Sequence, residues 1–118
     1  MNQPTPSVTL ADVERIARRD FSAAEVAGVL AALETYGPES WHREVPRVRL
    51  AILKLAGGRP DQLREALAMA YQDYRDILVT AEYPRYFREI PPSVPDASKA
   101  DRAITADWEQ YRDWFERR

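Results

Sequence analysis

The sequence predicts an all-α protein, a four- to five-helix bundle. Three observations lead there. Apolar residues recur at steps of three and four along most of the chain, as one face of a helix requires, and no segment alternates with the two-residue period of a strand. Residues that start helices stand ahead of these runs, and Gly or Pro closes them. The chain has 118 residues, 45% hydrophobic and 31% charged, which suits a single domain, 1–118, with a core of its own.

The elements follow in order. Residues 1–8 read as a flexible tail. Thr9 and Asp12 have the spacing of a capping box, which predicts a short helix over 10–19. Ser22 and Glu25 repeat the device, and Val26, Leu30 and Leu33 keep helical spacing until Gly37 and Pro38, so a second helix spans 23–36. In "GPESWHREVP" the proline at 46 is tolerable in a first helical turn, where its missing N–H would have no intrahelical acceptor. A third helix is therefore expected from about 42 to 56, ending at Gly57-Gly58. Pro60 suits the opening of a fourth, long helix over 60–83, because Pro84 disfavours helical geometry in the residue before it. Residues 84–97 hold four of the nine prolines and read as an extended connector. Ser98 and Asp101 then cap a C-terminal helix over 98–116.

The third helix, "VPRVRLAILKLA", is apolar nearly all round, and a helix of that kind is usually surrounded by others. It is expected at the centre. Arg47 and Lys54 share a strip from which long stems reach solvent. Arg49 projects into the apolar sector and needs an acidic partner, with Asp73 the leading choice and Asp76 and Glu82 in reserve. A pair buried there would fix how two helices dock; if the groups instead line a pocket, Arg49, Asp73, Asp76 and Glu82 are the candidates to hold a polar ligand.

The triplet Tyr-Arg-Asp occurs twice, at 74–76 and 111–113. Each tyrosine falls in the apolar stripe of its helix, and the Arg and Asp after it turn toward the flank and back. This is a shared way of building a helix face, not a duplicated unit. Aromatic residues crowd the last third of the chain: Tyr83, Tyr86, Phe87, Trp108, Tyr111, Trp114 and Phe115. They either complete the core or form an interface, since aromatics dominate binding hot spots. An extended connector reaches about 45 Å at about 3.3 Å per residue, so the last helix can dock on its own chain or on a second copy, giving a homodimer.

Several chemistries are disfavoured. Without cysteine there is no thiolate nucleophile and no cysteine-ligated zinc, which also agrees with a reducing compartment. The only histidine, His42, lies in Glu39-x-x-His42, but a di-iron bundle needs a second such pair and further glutamates. "AGGRP" lacks the glycine spacing and the Lys-Ser/Thr ending of a phosphate loop. No catalytic residue, metal ligand or cofactor is therefore nominated. A net charge of -2 gives no general attraction to nucleic acid. Arg15, Arg18 and Arg19 ahead of the second helix suggest a helix-turn-helix reader, yet they are interleaved with Glu14 and Asp20, and cations also suit a helix C-terminus. No apolar run approaches a membrane span, and the start lacks the pattern of a secretory signal, so a cytoplasmic location is expected.

The run "RVRLAILKLAGGRPDQLREALAMAYQDYRDILVTAEYPRY", residues 47–86, resembles small bacterial helical proteins that carry a basic-Val-x-Leu-Ala-x-Leu-Lys-Leu segment, then Gly, Asp-Tyr-Arg-Asp and Ala-Glu-Tyr-Pro. The resemblance covers about a third of the chain. It implies a bacterial source and no activity. The functional expectation is thus a non-enzymatic protein-protein interaction or scaffold module, with self-association open. The alternatives are a ligand-binding or enzymatic pocket around Arg49 and Asp73, and a weak nucleic-acid binder.

Overall fold

A computed structural model describes residues 4–90 and 96–118. Among them the chain forms seven α-helices and no strand: α1 Leu10–Asp20, α2 Ala23–Glu34, α3 Val45–Ala56, α4 Pro60–Gln72, α5 Tyr74–Glu82, α6 Pro84–Glu89 and α7 Ala97–Glu116. None of these helices is long and apolar enough to cross a membrane.

The first two helices start as their caps dictate. Thr9 Oγ1 accepts from the Asp12 N–H at 3.2 Å while the Asp12 carboxylate accepts from the Thr9 N–H at 3.0 Å. At α2 the Glu25 carboxylate accepts from both the backbone N–H and the hydroxyl of Ser22. Each helix turns an apolar stripe inward, Val13, Ile16 and Ala17 from α1 and Val26, Val29 and Leu33 from α2. The segment ahead of α1 is not a free tail where it is described: Val8 packs on the core and the Tyr83 hydroxyl donates to the Pro4 carbonyl. Residues 1–3 lie outside the described residues.

Central placement of the apolar helix holds. Val48, Leu50, Ala51, Ile52, Leu53 and Ala56 of α3 are all buried, and α1, α4 and α5 pack around it. Its start is later than the proline spacing suggested. Glu44 sits in the left-handed region at φ 52°, so helical geometry begins only at Val45. At the other end Gly57 and Gly58 also have positive φ. A Cβ on Gly58 would stand 2.6 Å from the Asp20 carbonyl oxygen, so this turn can lie against the end of α1 only as glycine.

The expected long fourth helix is broken in two at Asp73, whose backbone is extended at φ -160° and ψ 111°. Its side chain accepts from the Arg75 N–H at 3.0 Å and starts α5. Aspartate is among the best residues for that task, and the apolar stripe resumes beyond it with Ile77, Leu78 and Ala81 buried, so the break leaves burial intact. The expected extended connector is also shorter. Pro84 opens α6, and the Asp107 carboxylate of α7 accepts from the N–H groups of Arg85 and Tyr86 at 3.2 and 2.8 Å, satisfying donors that a helix start leaves free. Residues 91–95 of the connector lie outside the described residues. Asp96, not Ser98 with Asp101, caps α7 by accepting from the Lys99 N–H at 3.0 Å.

In this structure α7 packs on its own chain, against α5 and α6, and its C-terminal end is held by α1. Arg15 donates to the Phe115 carbonyl at 3.0 Å; Arg19 donates to the carbonyls of Trp114 and Arg117 at 2.5 and 2.7 Å. The two guanidinium groups also stand over the rings of Phe115 and Trp114. Cations from one helix thus close the carbonyl end of another, where the helix dipole favours them.

Candidate functional site

The two arginines of α3 exchange the roles expected of them. Arg47, assigned to a solvated strip, makes a two-pronged bond to Glu82, Nε to Oε2 at 2.7 Å and Nη2 to Oε1 at 2.5 Å. Glu82 is 3% exposed. The hydrogen bonds that Arg47 donates to Glu82 raise the Arg47 pKa, ahead of the opposing effect of burial. Lys54, also on α3, is half-buried, and desolvation lowers its pKa against the pull of Asp107 and Glu82. The Arg47–Glu82 pair ties α3 to α5, and the Lys54 ammonium lies 6.0 Å from the centre of the Trp114 ring on α7.

Arg49 does not meet Asp73. Its Nε donates to the Tyr36 carbonyl at 2.9 Å, and it joins no ion pair among the described residues. Asp73 is bound to Arg75 on the surface at 2.9 Å, and that contact holds its carboxyl below the usual carboxylate range. Asp76 is exposed, with its carbonyl accepting from the Thr80 hydroxyl. The four pocket candidates therefore do not converge. Arg49 lines a groove of 330 Å³ between α1 and α2 with Leu10, Val13, Leu30 and Leu33, edged by Glu14 and Glu34.

The loop from Thr35 to Glu44 is a second distinctive feature. Fully buried Tyr36 donates its hydroxyl proton to the Arg43 carbonyl at 2.8 Å and accepts from the Arg43 N–H at 3.1 Å. Burial raises its phenol pKa above 10.0. His42 Nδ1 accepts from the N–H groups of Gly37 and Glu39 at 2.7 and 3.2 Å, so that nitrogen carries no proton and the ring hydrogen sits on Nε2. Nε2 is buried without a hydrogen-bond partner among the described residues. The ring stacks on Tyr36 with centroids 4.3 Å apart and meets Trp41 edge-on at 4.1 Å. His42 is thus the fastener of a loop, and Glu39 offers it a backbone N–H rather than a carboxylate.

On this loop Trp41 is held in place yet 54% exposed, and Tyr71 beside it is 41% exposed. The Tyr71 hydroxyl bonds Thr35 Oγ1. Both line a surface depression of 290 Å³ with Tyr74, Asp73 and Arg75 on its wall. The sequence reading passed over these two residues. The signal was present: Trp41 stands among polar neighbours in "ESWHRE", and Tyr71 falls outside the stripe of Leu63, Leu67 and Ala70, so neither had an inward face to occupy.

The seven aromatic interface candidates divide differently. Tyr83, Tyr111 and Trp114 are buried, Trp108, Phe115 and Tyr86 are partly covered, and only Phe87 is open, at 72% exposure. Burial pushes the Tyr83 phenol up to about 12 and the Tyr111 phenol further. The Tyr111 hydroxyl is buried and has no hydrogen-bond partner among the described residues. Of the basic trio in α1, Arg15 and Arg19 are engaged by α7, and Arg18 bonds Glu14 at 2.8 Å. No three His, Cys, Asp or Glu side chains gather among the described residues. Comparison with protein-family models, with curated proteins and with solved structures gave no match.

Proposed function

We propose that the protein acts without catalysis, as a helical module that binds another polypeptide, and that Trp41 and Tyr71 anchor the contact. One observation supports this reading above the rest: an exposed tryptophan sits on a loop whose backbone is fastened by the buried rings of Tyr36 and His42. A large apolar ring already fixed in place loses little freedom when a partner covers it, which is what makes pre-organised aromatics strong binding anchors. Asp73 and Arg75 supply a charged border of the kind that rims protein interfaces. A second copy of the chain is the simplest partner.

The test places a photo-crosslinking residue at exposed Gln72, on the wall of the depression, and, for comparison, at exposed Glu109, in cells of the source organism. Position 72 should yield a defined crosslinked polypeptide, position 109 should not, and Trp41→Ala or Tyr71→Ala should abolish the product while leaving the thermal midpoint nearly unchanged. Equal crosslinking from both positions would refute the assignment. Sedimentation of the purified protein over a wide concentration range then tells whether the captured chain is a second copy.

A further inference from the structure

We infer that the groove between α1 and α2 is a binding site for a small monocarboxylate with an apolar tail, received by Arg49. The site shares no lining residue with the Trp41 depression, so the two readings stand or fall separately.

The guanidinium group presents five N–H donors. At Arg49 the Nε donor is engaged by the Tyr36 carbonyl, and the terminal nitrogens have no acceptor in the protein among the described residues. The other partly buried arginines differ: Arg47 is bound to Glu82, and Arg19 to Asp20 and two carbonyls. Arg49 is nevertheless fixed. Its Nε bond sets the plane of the group, and Gly37, at φ +151°, leaves the space that Nη2 fills: a Cβ there would stand 2.5 Å from it. A rigid, half-buried fork with free donors matches a carboxylate, which accepts two parallel N–H bonds.

Beyond the fork the groove is floored by Leu10, Val13, Leu30 and Leu33. Leu10 is 55% exposed, an apolar surface that a hydrocarbon tail would remove from water. The volume of 330 Å³ lies at the small end of the range of about 300–1,000 Å³ for ligand pockets, which suits a tail of several carbons and not a long lipid. At the edges, Glu14 is already bonded by Arg18, and Glu34 places a negative charge at the mouth. Glu34 is exposed, and its charge repels a multiply charged anion such as phosphate more than a singly charged one, because repulsion scales with the product of the charges.

Titration with octanoate, followed by NMR of backbone amides, Leu methyls and Arg Nε–H groups, tests the assignment. Saturable shifts should appear at Leu10, Leu30, Leu33 and the Arg49 Nε–H. Octylamine and inorganic phosphate should produce none of these. Arg49→Met should weaken octanoate binding by about tenfold or more, the effect of losing a charge-assisted contact. Should Arg49→Met fail to fold, Leu10→Gln, at the exposed groove wall, decides: weaker binding supports the site, and unchanged affinity overturns it. Absence of saturable shifts, binding of octylamine as strong as that of octanoate, or unchanged affinity in folded Arg49→Met would each overturn it as well.

Discussion

Arg47 and Arg49 stand two residues apart on one helix and point about 200° away from each other. Arg47 faces the end of α5 and is saturated by a carboxylate that is almost fully buried. Arg49 faces the α2–α3 loop, where its Nε donates to the Tyr36 carbonyl and Nη2 lies against Gly37, and it lines a groove. The lesson is that burial of an arginine does not by itself mark either architecture or function. A charge answered inside the fold holds elements together, whereas one left partly unanswered at a cavity is available to something else.

The contrast can be broken most forcefully at Glu82. Glu82→Ala leaves the Arg47 guanidinium between α3 and α5 without its partner and should lower stability by about 3–5 kcal/mol, the usual effect of breaking a buried pair. Urea unfolding at neutral pH measures it, and the double variant Arg47→Met with Glu82→Leu should regain most of the loss. Arg49→Met removes one charge-assisted bond to a carbonyl and strands no buried charge, so a smaller loss of about 1.5–3 kcal/mol is expected in the same assay. Equal losses for the two would erase the distinction.

The smallest effect belongs to Tyr111. Its hydroxyl is buried and unpaired, so Tyr111→Phe should fall within about 1 kcal/mol of the parent and on the stabilising side. Alkaline titration sharpens this. The phenols of Tyr83 and Tyr111 both have pKa values raised by burial above the 10.0 of free tyrosine. Their contribution is therefore complete below pH 10 and is lost as pH rises toward the Tyr83 value of about 12, because the unfolded chain releases its protons first. Stability should fall over that interval, and Tyr111→Phe should make the fall shallower.

Much of the fold was legible because the signals were local. The capping pairs Thr9 with Asp12 and Ser22 with Glu25 lie within one turn, and the apolar character of "VPRVRLAILKLA" needs no knowledge of its neighbours. The break at Asp73 was hidden because the apolar stripe runs on through it, and periodicity responds to burial rather than to backbone continuity. α6 was hidden because its side-chain cap is supplied by Asp107, more than twenty positions later. A helical wheel places Arg47 and Arg49 relative to their own helix but is silent on what covers each side. Glu82 was held only in reserve for Arg49, whereas in the structure it accepts from Arg47. The exposure of Trp41 and Tyr71 depends on a loop conformation set by His42 and Tyr36, which no short pattern encodes.

The guanidinium clasp of α1 on the last turn of α7 joins positions up to a hundred residues apart. Closing so long a loop sacrifices chain entropy before any contact compensates for it, which makes this junction a late event in folding and an early one in local opening. Amide hydrogens near Trp114 should consequently exchange sooner than those of α3. At the end of α7, Arg15 and Arg19 meet only main-chain carbonyls and ring faces, so the clasp reads the helix terminus itself and leaves most α7 side chains free to vary.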